Sequence, residues 1–522
     1  MTVDRRYSLP RAALTRREFS IGLAGAALST SAIRPTWAAE SPQDGGTLKI
    51  AMAGSSANET IDPHKAVSST DASRITSLFN RLVGTQPDLQ LVGELAESWE
   101  SDAAAQEWTF HLRPGIVFHD GRPLRAADVI YSLRRLVDPA TASPAKALFD
   151  QVDLEGTRAD GDRIVRVKLA RPNADLAALF ADYHAMVVPE GFTDFSNPVG
   201  TGPFMLERFE PGVVSLFVRN PNYWEAGLPH LEAVETTGIN DPVARTNALL
   251  AGEADLIEKL DPTAIERIKS NPDLQIISSP SGFHIVFAMQ TDKPPFDNPN
   301  VRMALKLLLD RQRFLDTVYK GYGQLGNDQP VSPAHQWYCR DLGIPSYDPE
   351  RAKALLAEAG LANPTFDLHA STVLAGMMDG AIVFQEMAAK AGVTINIIRE
   401  PTDGYWSAVW LKKPFFMGGW TMRPVADMIL TQAYTSDAKW NETNWHRAEF
   451  DSLLVDARGT TDVAERQRLY CEAQRMISKD GGAIIPVFTD ILDAGSKRVN
   501  GLQPHPIGTL GHWQWKTVWL AS

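Results

Sequence analysis

Strand-like and helix-like patterns alternate along almost the whole of this chain, and that alternation limits the folds open to it. Alternating apolar and polar residues predict strands at 47–53, 108–112 and 213–218. Amphipathic spacing with glycine or proline stop signals predicts helices at 71–83, 126–137, 243–251, 300–309 and 348–360. Helices that alternate with short strands, with no internal repeat, predict an α/β architecture.

Length and charge exclude several classes of partner. A chain of 522 residues is expected to form two or three domains, since domains typically contain about 100–200 residues. The formal net charge is −12, and residues 1–38 contribute +4 (six Lys or Arg against two Asp or Glu), which leaves about −16 for the rest. Nucleic acids and anionic lipids need a basic surface, so we expect neither as a partner.

The first 38 residues have the pattern of a twin-arginine export signal. The paired Arg16 and Arg17 stand two residues before Phe19, a weakly apolar run follows to Ile33, and small residues precede a cleavage site after Ala38. The alternatives are a disordered basic tail and a short membrane anchor. An anchor needs about 20 apolar residues, whereas the run at 19–33 is shorter and contains four Ser or Thr. The signal predicts that the mature product is in the periplasm. Because no cysteine lies near the cleavage site, we expect no lipid anchor.

Cys339 and Cys471 are the only cysteines of the chain. In an exported protein of this size, two distant cysteines do not form a disulfide scaffold. One bridge between them and two separate core positions are equally good interpretations. Neither cysteine supports a metal cluster.

Motifs for catalysis or metal binding are absent from the sequence. It contains no Gly-x-Ser-x-Gly elbow, no phosphate-binding glycine loop with lysine, and no His-Glu-x-x-His spacing. His119 stands in His-Asp-Gly, which predicts a tight turn rather than a reactive group. His111 lies eight residues earlier, and a two-histidine metal site there is the less favoured interpretation. The motifs therefore give no positive indication of an enzyme or of a cofactor.

Seven segments, in order, resemble the family 5 extracellular solute-binding proteins, the peptide, nickel and opine receptors of ABC importers. The segments are WTFHLRPGIVFHDG (108–121), ADVIYS (127–132), PVGTGPF (198–204), RNPNYW (219–224), ALLAGEAD (248–255), PFDNPNVR (295–302) and YDPERAKALL (347–356). The resemblance implies a bilobed, clamshell-like fold with a ligand cleft between the lobes, no catalysis, and an ABC permease of the inner membrane as partner.

The same resemblance implies a discontinuous first lobe. Lobe I is expected at 46–84, 195–280 and 495–522, an inserted subdomain at 85–194, and lobe II at 281–494. Three C-terminal tryptophans, Trp513, Trp515 and Trp519, are spaced to lie on one face of a strand. That face is expected to pack on the core of lobe I rather than to form a ligand-binding ladder.

The segment 418–427 is the main candidate for ligand binding, because the resembling family lines its cleft with a Gly-Trp segment of lobe II. Gly419 would let backbone approach a ligand, and Trp420 would supply a rigid stacking face; the alternative is a loop whose tryptophan is buried core. Peptide receptors of the family carry an aspartate three residues after that tryptophan, where this chain has Arg423. Arginine suits a carboxylate, phosphate or carbonyl group. Asp427 is the alternative group for a ligand ammonium.

Two weaker candidates lie elsewhere. Gly54, Ser55 and Ser56 follow the first predicted strand, where the resembling family often contacts ligand. His284 is placed near the start of lobe II, and either faces the cleft or is a buried, satisfied histidine.

The sequence therefore predicts a monomeric periplasmic receptor that captures a small polar ligand by lobe closure and delivers it to an ABC permease. The ligand class is peptide-like, opine-like or a sugar conjugate, with an anionic or acceptor-rich group. The resemblance also allows nickel as the ligand, but no residue spacing in the sequence favours it. The alternative is an exported protein or enzyme that depends on a cofactor or metal, because the twin-arginine route accommodates proteins that fold before export.

Overall fold

The computed structural model describes residues 41–521, and the predicted export signal at 1–38 lies outside them. Within that range the strands are β1 (Thr47–Met52), β2 (Val83–Thr85), β3 (Leu91–Gly93), β4 (Ala96–Ser101), β5 (Glu107–Leu112), β6 (Val152–Asp160), β7 (Ile164–Leu169), β8 (Phe204–Glu210), β9 (Val214–Arg219), β10 (Ala233–Gly238), β11 (Leu256–Ile257), β12 (Leu274–Met289), β13 (Gly323–Leu325), β14 (Thr365–Ala370), β15 (Thr394–Arg399), β16 (Phe415–Trp420), β17 (Ala483–Ile484), β18 (Val487–Ser496), β19 (Val499–Asn500) and β20 (Trp519–Leu520). None of the helices in this range is both long and apolar enough to cross a membrane.

The α-helices of the same range are distributed between these strands. They are α1 (Ser69–Leu78), α2 (Ala126–Val137), α3 (Leu176–Leu179), α4 (Pro242–Leu250), α5 (Ile265–Lys269), α6 (Pro299–Leu307), α7 (Arg311–Val318), α8 (Pro349–Glu358), α9 (Met377–Ala389), α10 (Tyr405–Ala408), α11 (Ala426–Tyr434), α12 (Ala448–Gly459) and α13 (Val463–Asp480). Helix α8 begins as the sequence predicts, because the Asp348 side chain accepts the backbone N–H of Arg351 and proline occupies the first turn. The predicted α/β class is confirmed.

One mixed sheet of twelve strands organises the fold. Ten of them form the order β15-β14-β16-β12-β18-β11-β1-β10-β9-β8, while β13 pairs with β18 and β17 with β12. Strand β1 is parallel to β10 and β11, so the carboxyl ends of these three strands meet at one edge. Strands β4-β5-β7-β6 form a separate antiparallel sheet.

Hydrophobic cores cover the two ends of the large sheet separately. At the β1–β10 end, one core includes Leu48, Phe204 and Trp515, and another includes Ala51 and Ile265. At the β14–β16 end, two further cores pack on opposite sides of β12 and β16. We call these two ends lobe I and lobe II, and the four-stranded sheet with its own core the inserted subdomain.

Strands β12 and β18 join the two lobes. They pair from Leu274 and Ser496 as far as Ser279 and Ile491, and pairing resumes at Phe283 and Thr489 after a bulge. Pro280 lies in the bulge and has no N–H to donate to the ladder. The bulge bends β12 at the point where it passes from one lobe to the other.

Cys339 and Cys471 form a disulfide bond, which settles the alternative that the sequence left open. Both residues are buried in lobe II. The bond joins the segment after β13 to the middle of α13, 132 residues further along the chain.

The predicted turn at His119 is confirmed. Gly121 has φ +84°, and its N–H donates to the carbonyl oxygen of Phe118 at 2.8 Å. The His119 ring contacts the backbone of Gly200 and Gly202, so it ties the turn to lobe I.

The prediction that the three C-terminal tryptophans share a strand face is wrong. Residues 510–513 instead form a left-handed turn, with φ between +48° and +65°. Asp493 holds the turn because its Oδ2 accepts the Leu510 N–H at 2.6 Å. The tryptophans are nevertheless buried, and Trp513 and Trp515 pack in the core of lobe I.

We expect the disulfide to stabilise lobe II by restricting the unfolded chain. The double variant Cys339→Ser/Cys471→Ser should lose about 2–4 kcal/mol of unfolding free energy in urea denaturation, since long disulfide loops contribute on that scale. Dithiothreitol should destabilise the wild-type protein and leave the variant unchanged. Equal stability of the two proteins without reductant would contradict a structural role for the bond.

Candidate functional site

The Gly-Trp segment lies at the end of β16, beside the bulged part of β12. Gly419 pairs with Ile285, and Trp420 pairs with His284. A Cβ on Gly419 would come within 2.6 Å of Leu374, and one on Gly418 within 2.8 Å of the Glu442 carboxylate. In this structure the space beside both glycines is therefore filled by side chains of the protein itself.

Trp420 is 6% exposed and takes part in a cluster of four tryptophans. Its ring centroid lies 6.3 Å from that of Trp410 and 6.0 Å from that of Trp440, and Trp406 contacts Trp410 at 5.9 Å. Its indole N–H donates to Glu442 Oε1 at 2.8 Å. The ring is thus fixed by a hydrogen bond from its indole N–H and by contacts with two other tryptophan rings.

Arg423 follows Trp420 by three residues, and its guanidinium lies 5.9 Å from the centroid of that ring. Its Nε donates to Gln432 Oε1 at 3.1 Å, and its Nη1 donates to Thr421 Oγ1 at 3.0 Å. Both partners are neutral, and within residues 41–521 no carboxylate forms an ion pair with Arg423. Burial lowers the pKa of Arg423, and the more distant Asp182 opposes that shift.

The surroundings of Arg423 come from lobe II and the subdomain. A cavity of about 10 Å³ beside it is lined by Gly282 of β12 and by Ser332. The Ser332 hydroxyl is buried and has no hydrogen-bond partner among the described residues. In the subdomain, the Asp182 carboxylate forms a hydrogen bond with His184 Nδ1 at 2.7 Å. Arg423 therefore lies in lobe II, close enough to the subdomain for Asp182 to act on its charge.

Asp427 is engaged in an ion pair and does not face Arg423 as a free carboxylate. Arg458 donates to it at 3.1 Å from Nε and at 3.0 Å from Nη2. Burial raises the pKa of Asp427, and Arg458 opposes that shift. Both residues line a groove of about 680 Å³ between α11, α12 and the subdomain.

His284 is 1% exposed and neutral. Its Nδ1–H donates to the Gly282 carbonyl oxygen at 2.8 Å, while its Nε2 has no partner among the described residues. Burial lowers its pKa to about 4, against the opposing effect of the Gly282 hydrogen bond. The ring packs edge-on against Phe488, with centroids 5.3 Å apart.

Gly54, Ser55 and Ser56 form a turn on the surface of lobe I. Gly54 has φ +78°, and the Ser55 backbone exchanges two hydrogen bonds of 2.9 Å with the Asn240 side chain. Ser56 bonds within its own turn. Within residues 41–521, this turn forms no hydrogen bond with Trp420 or Arg423. The structure brings together His284, Gly419, Trp420 and Arg423 and leaves the turn apart.

The subdomain contacts lobe II directly. Arg466 of α13 forms an ion pair with Asp175 at 2.6 Å, and both side chains are 7% exposed. The Ala174 N–H also donates to the Arg458 carbonyl oxygen at 2.8 Å. The described residues contain no group of three or more His, Cys, Asp or Glu side chains placed to hold a metal ion.

Sequence reasoning missed Glu442, Asp182, Ser332 and the Asp175–Arg466 pair. Each is an ordinary polar residue with no motif around it. For Glu442 and for the Asp175–Arg466 pair, the partners are distant in sequence, with Asp175 and Arg466 separated by 291 positions. These residues can be recognised only once the three-dimensional fold is known.

The family model of the bacterial extracellular solute-binding proteins, family 5 (middle region), matches residues 90–442. The chain belongs to this family. It is the solute-binding protein of an ABC importer, and the predicted two-lobed binding-protein fold is confirmed.

Three relatives show the extent of the similarity. The glutathione-binding protein GsiB of Pectobacterium atrosepticum is 27% identical over 496 residues, covering 90% of this chain and 93% of that protein. The structure of HbpA2 from Haemophilus parasuis superposes with a TM-score of 0.82 at 24% identity, covering 91% of this chain and 100% of that one. The ABC transporter-associated periplasmic binding protein DppA from Helicobacter pylori, in complex with the peptide STSA, has a TM-score of 0.72 at 22% identity, covering 92% and 99%.

We expect Asp427 to act on stability through Arg458. Asp427→Ala should lower the unfolding free energy by about 2 kcal/mol, the scale of hydrogen bonds between charged groups. Arg458→Ala should lower it similarly, and the double variant should lose clearly less than the sum, because the two changes remove the same interaction. Additive losses in urea denaturation would show that the two side chains are not coupled.

Proposed function

We propose that this family 5 protein is a periplasmic receptor, acting as a monomer, for a small peptide-like ligand that carries a carboxylate. The observation that carries the ligand assignment is Arg423, a partly buried guanidinium with only neutral hydrogen-bond partners. Export by the twin-arginine route belongs to the same proposal and rests on Arg16 and Arg17.

A buried charge is costly unless an opposite charge or several hydrogen bonds compensate it. Gln432 and Thr421 accept from Nε and Nη1, and no group of residues 41–521 accepts a hydrogen bond from Nη2 of Arg423. A carboxylate or a phosphate accepts two parallel N–H bonds from such a fork. A ligand acid group at Arg423 would therefore supply the missing compensation.

The relatives support a ligand of this kind. One is named for glutathione, which carries two carboxylates, and another was solved with the peptide STSA. The difference from peptide receptors with an aspartate after the Gly-Trp segment is the sign of the charge, since this chain has Arg423. We infer that the acid end of the ligand, rather than its ammonium end, binds beside Trp420.

We propose that closure moves lobe II against lobe I and the subdomain about the bulge in β12 and β18. The ion pair between Asp175 and Arg466 joins the subdomain to lobe II and would stabilise the closed state. The division proposed for the chain is lobe I at 46–84, 195–280 and 495–522, the subdomain at 85–194, and lobe II at 281–494. The closed protein would then present the ligand to the permease.

We expect Arg423→Gln to weaken binding of a carboxylate-bearing ligand by about 10- to 100-fold. Charge-assisted hydrogen bonds contribute about 1.5–3 kcal/mol, and 1.4 kcal/mol corresponds to tenfold in affinity. Calorimetric titration of the mature, ligand-stripped protein with glutathione, dialanine and dialanine amide measures this. The variant should lose affinity for the acid and little for the amide.

Arg399→Gln is the matched control, because Arg399 is an exposed arginine of lobe II at the end of β15. It should bind every probe as the wild-type protein does. Unchanged affinity of Arg423→Gln for the bound acid would remove Arg423 from the site. Absence of any co-purified small molecule in native mass spectrometry, together with no binding from the panel, would count against the proposed ligand class itself.

A further inference from the structure

Glu442 is a fully buried carboxyl group that accepts one hydrogen bond from each of two tryptophans. Its Oε1 accepts from Trp420 at 2.8 Å, and its Oε2 accepts from Trp410 at 2.9 Å. Its exposure is 0%, and no Lys, Arg or His of the described residues forms an ion pair with it. A carboxyl in this position is costly, so its presence calls for a role.

The two hydrogen bonds tie both inner rings of the tryptophan cluster to one side chain. The Trp410 and Trp420 rings meet at an interplanar angle of 64°. Trp440 rests on both, with centroids at 6.2 Å and 6.0 Å, and is 45% exposed. Glu442 therefore fixes the inner pair on which the exposed ring lies.

Gly418 is part of the same arrangement. A Cβ at this position would come 2.8 Å from Glu442 Oε2, and the ordinary contact distance is about 3.4 Å or more. The first glycine of the Gly-Gly-Trp segment thus makes room for the carboxyl. The Arg423 guanidinium lies over the same ring, 5.9 Å from the Trp420 centroid.

We propose that Glu442 is a positioning residue of the binding site, which sets the orientation of Trp420 and thereby the place of Arg423 above it. The inference rests on the proposed function of Arg423 as the carboxylate-binding group. Glu442 acts on the ligand through Trp420 and not by contact.

The protonation state of Glu442 gives the role a distinctive signature. Burial raises its pKa to about 7, against the lowering effect of the two indole hydrogen bonds. Among the described residues, the titratable groups that interact electrostatically with Glu442 are the phenols of Tyr405 and Tyr434, whose pKa values burial raises, so both stay uncharged near neutral pH. A protonated carboxyl is the weaker acceptor, so its hold on the indoles loosens as the pH falls through 7.

Near-ultraviolet circular dichroism and calorimetry test the proposal on the mature protein. The wild-type tryptophan spectrum should change with a midpoint near pH 7, and affinity for glutathione should fall by about fivefold from pH 7.5 to pH 5.5, the scale of one hydrogen bond. Glutathione has no group that titrates appreciably in this interval. Glu442→Gln should remove both changes and bind glutathione no better than the wild-type protein at pH 5.5.

A second pair of variants serves if Glu442→Gln does not fold. Trp410→Phe removes one of the two N–H donors and should shift the spectrum and weaken binding. Trp406→Phe is the matched control, because the indole donors to Glu442 are Trp410 and Trp420. Equal behaviour of these two variants would overturn the proposal, as would an unchanged pH profile in Glu442→Gln.

The pH dependence of folding stability is an independent readout. Protonation of Glu442 weakens its hydrogen bonds from the indoles, but it favours the folded protein over the unfolded chain. The folded-state pKa of about 7 lies above the ordinary value of 4.5, so the folded protein binds this proton more tightly than the unfolded chain does. The wild-type protein should therefore lose stability relative to Glu442→Gln as the pH rises from 4.5 to 7. If no carboxylate probe binds the wild-type protein, the proposed function of Arg423 fails, while the spectrum and this stability difference still decide on Glu442.

Discussion

The pairing of β12 with β18 is the interaction on which the rest of the structure depends. These two strands are the only ones in the described range that continue the large sheet from lobe I into lobe II. Their ladder is interrupted once, between Ser279 and Phe283. Because each lobe has its own hydrophobic cores, the lobes are expected to move as rigid bodies about this interruption. The bulge also places Gly282 beside the Arg423 loop, which links the bend to the site.

Two ionisable side chains, Arg423 and Glu442, define the candidate site. Arg423 is charged and has only neutral partners, whereas Glu442 is acidic and has only indole donors. Trp420 contacts both, because its indole N–H donates to Glu442 and the Arg423 guanidinium lies over its ring. The two indoles engage the Glu442 carboxyl, and the Arg423 guanidinium has no carboxylate partner among residues 41–521.

Local sequence patterns predicted the local structure well. Helix α2 has the predicted bounds of residues 126–137, and the His119 turn forms as expected because both depend on neighbouring residues. The C-terminal turn at 510–513 could not be predicted, since Asp493 and the lobe I core impose it against the backbone preference of its residues. Glu442 was equally invisible, because its partners are 22 and 32 residues away. Arg423 was found only through the resemblance of its segment to a known family.

The most direct test of this account is a crystal structure of the mature protein with its co-purified ligand. The account predicts a closed clamshell with a carboxylate of the ligand bound by the Arg423 guanidinium beside the Trp420 ring. A ligand whose ammonium or metal centre occupies that position, or whose acid group binds elsewhere in the cleft, would contradict it.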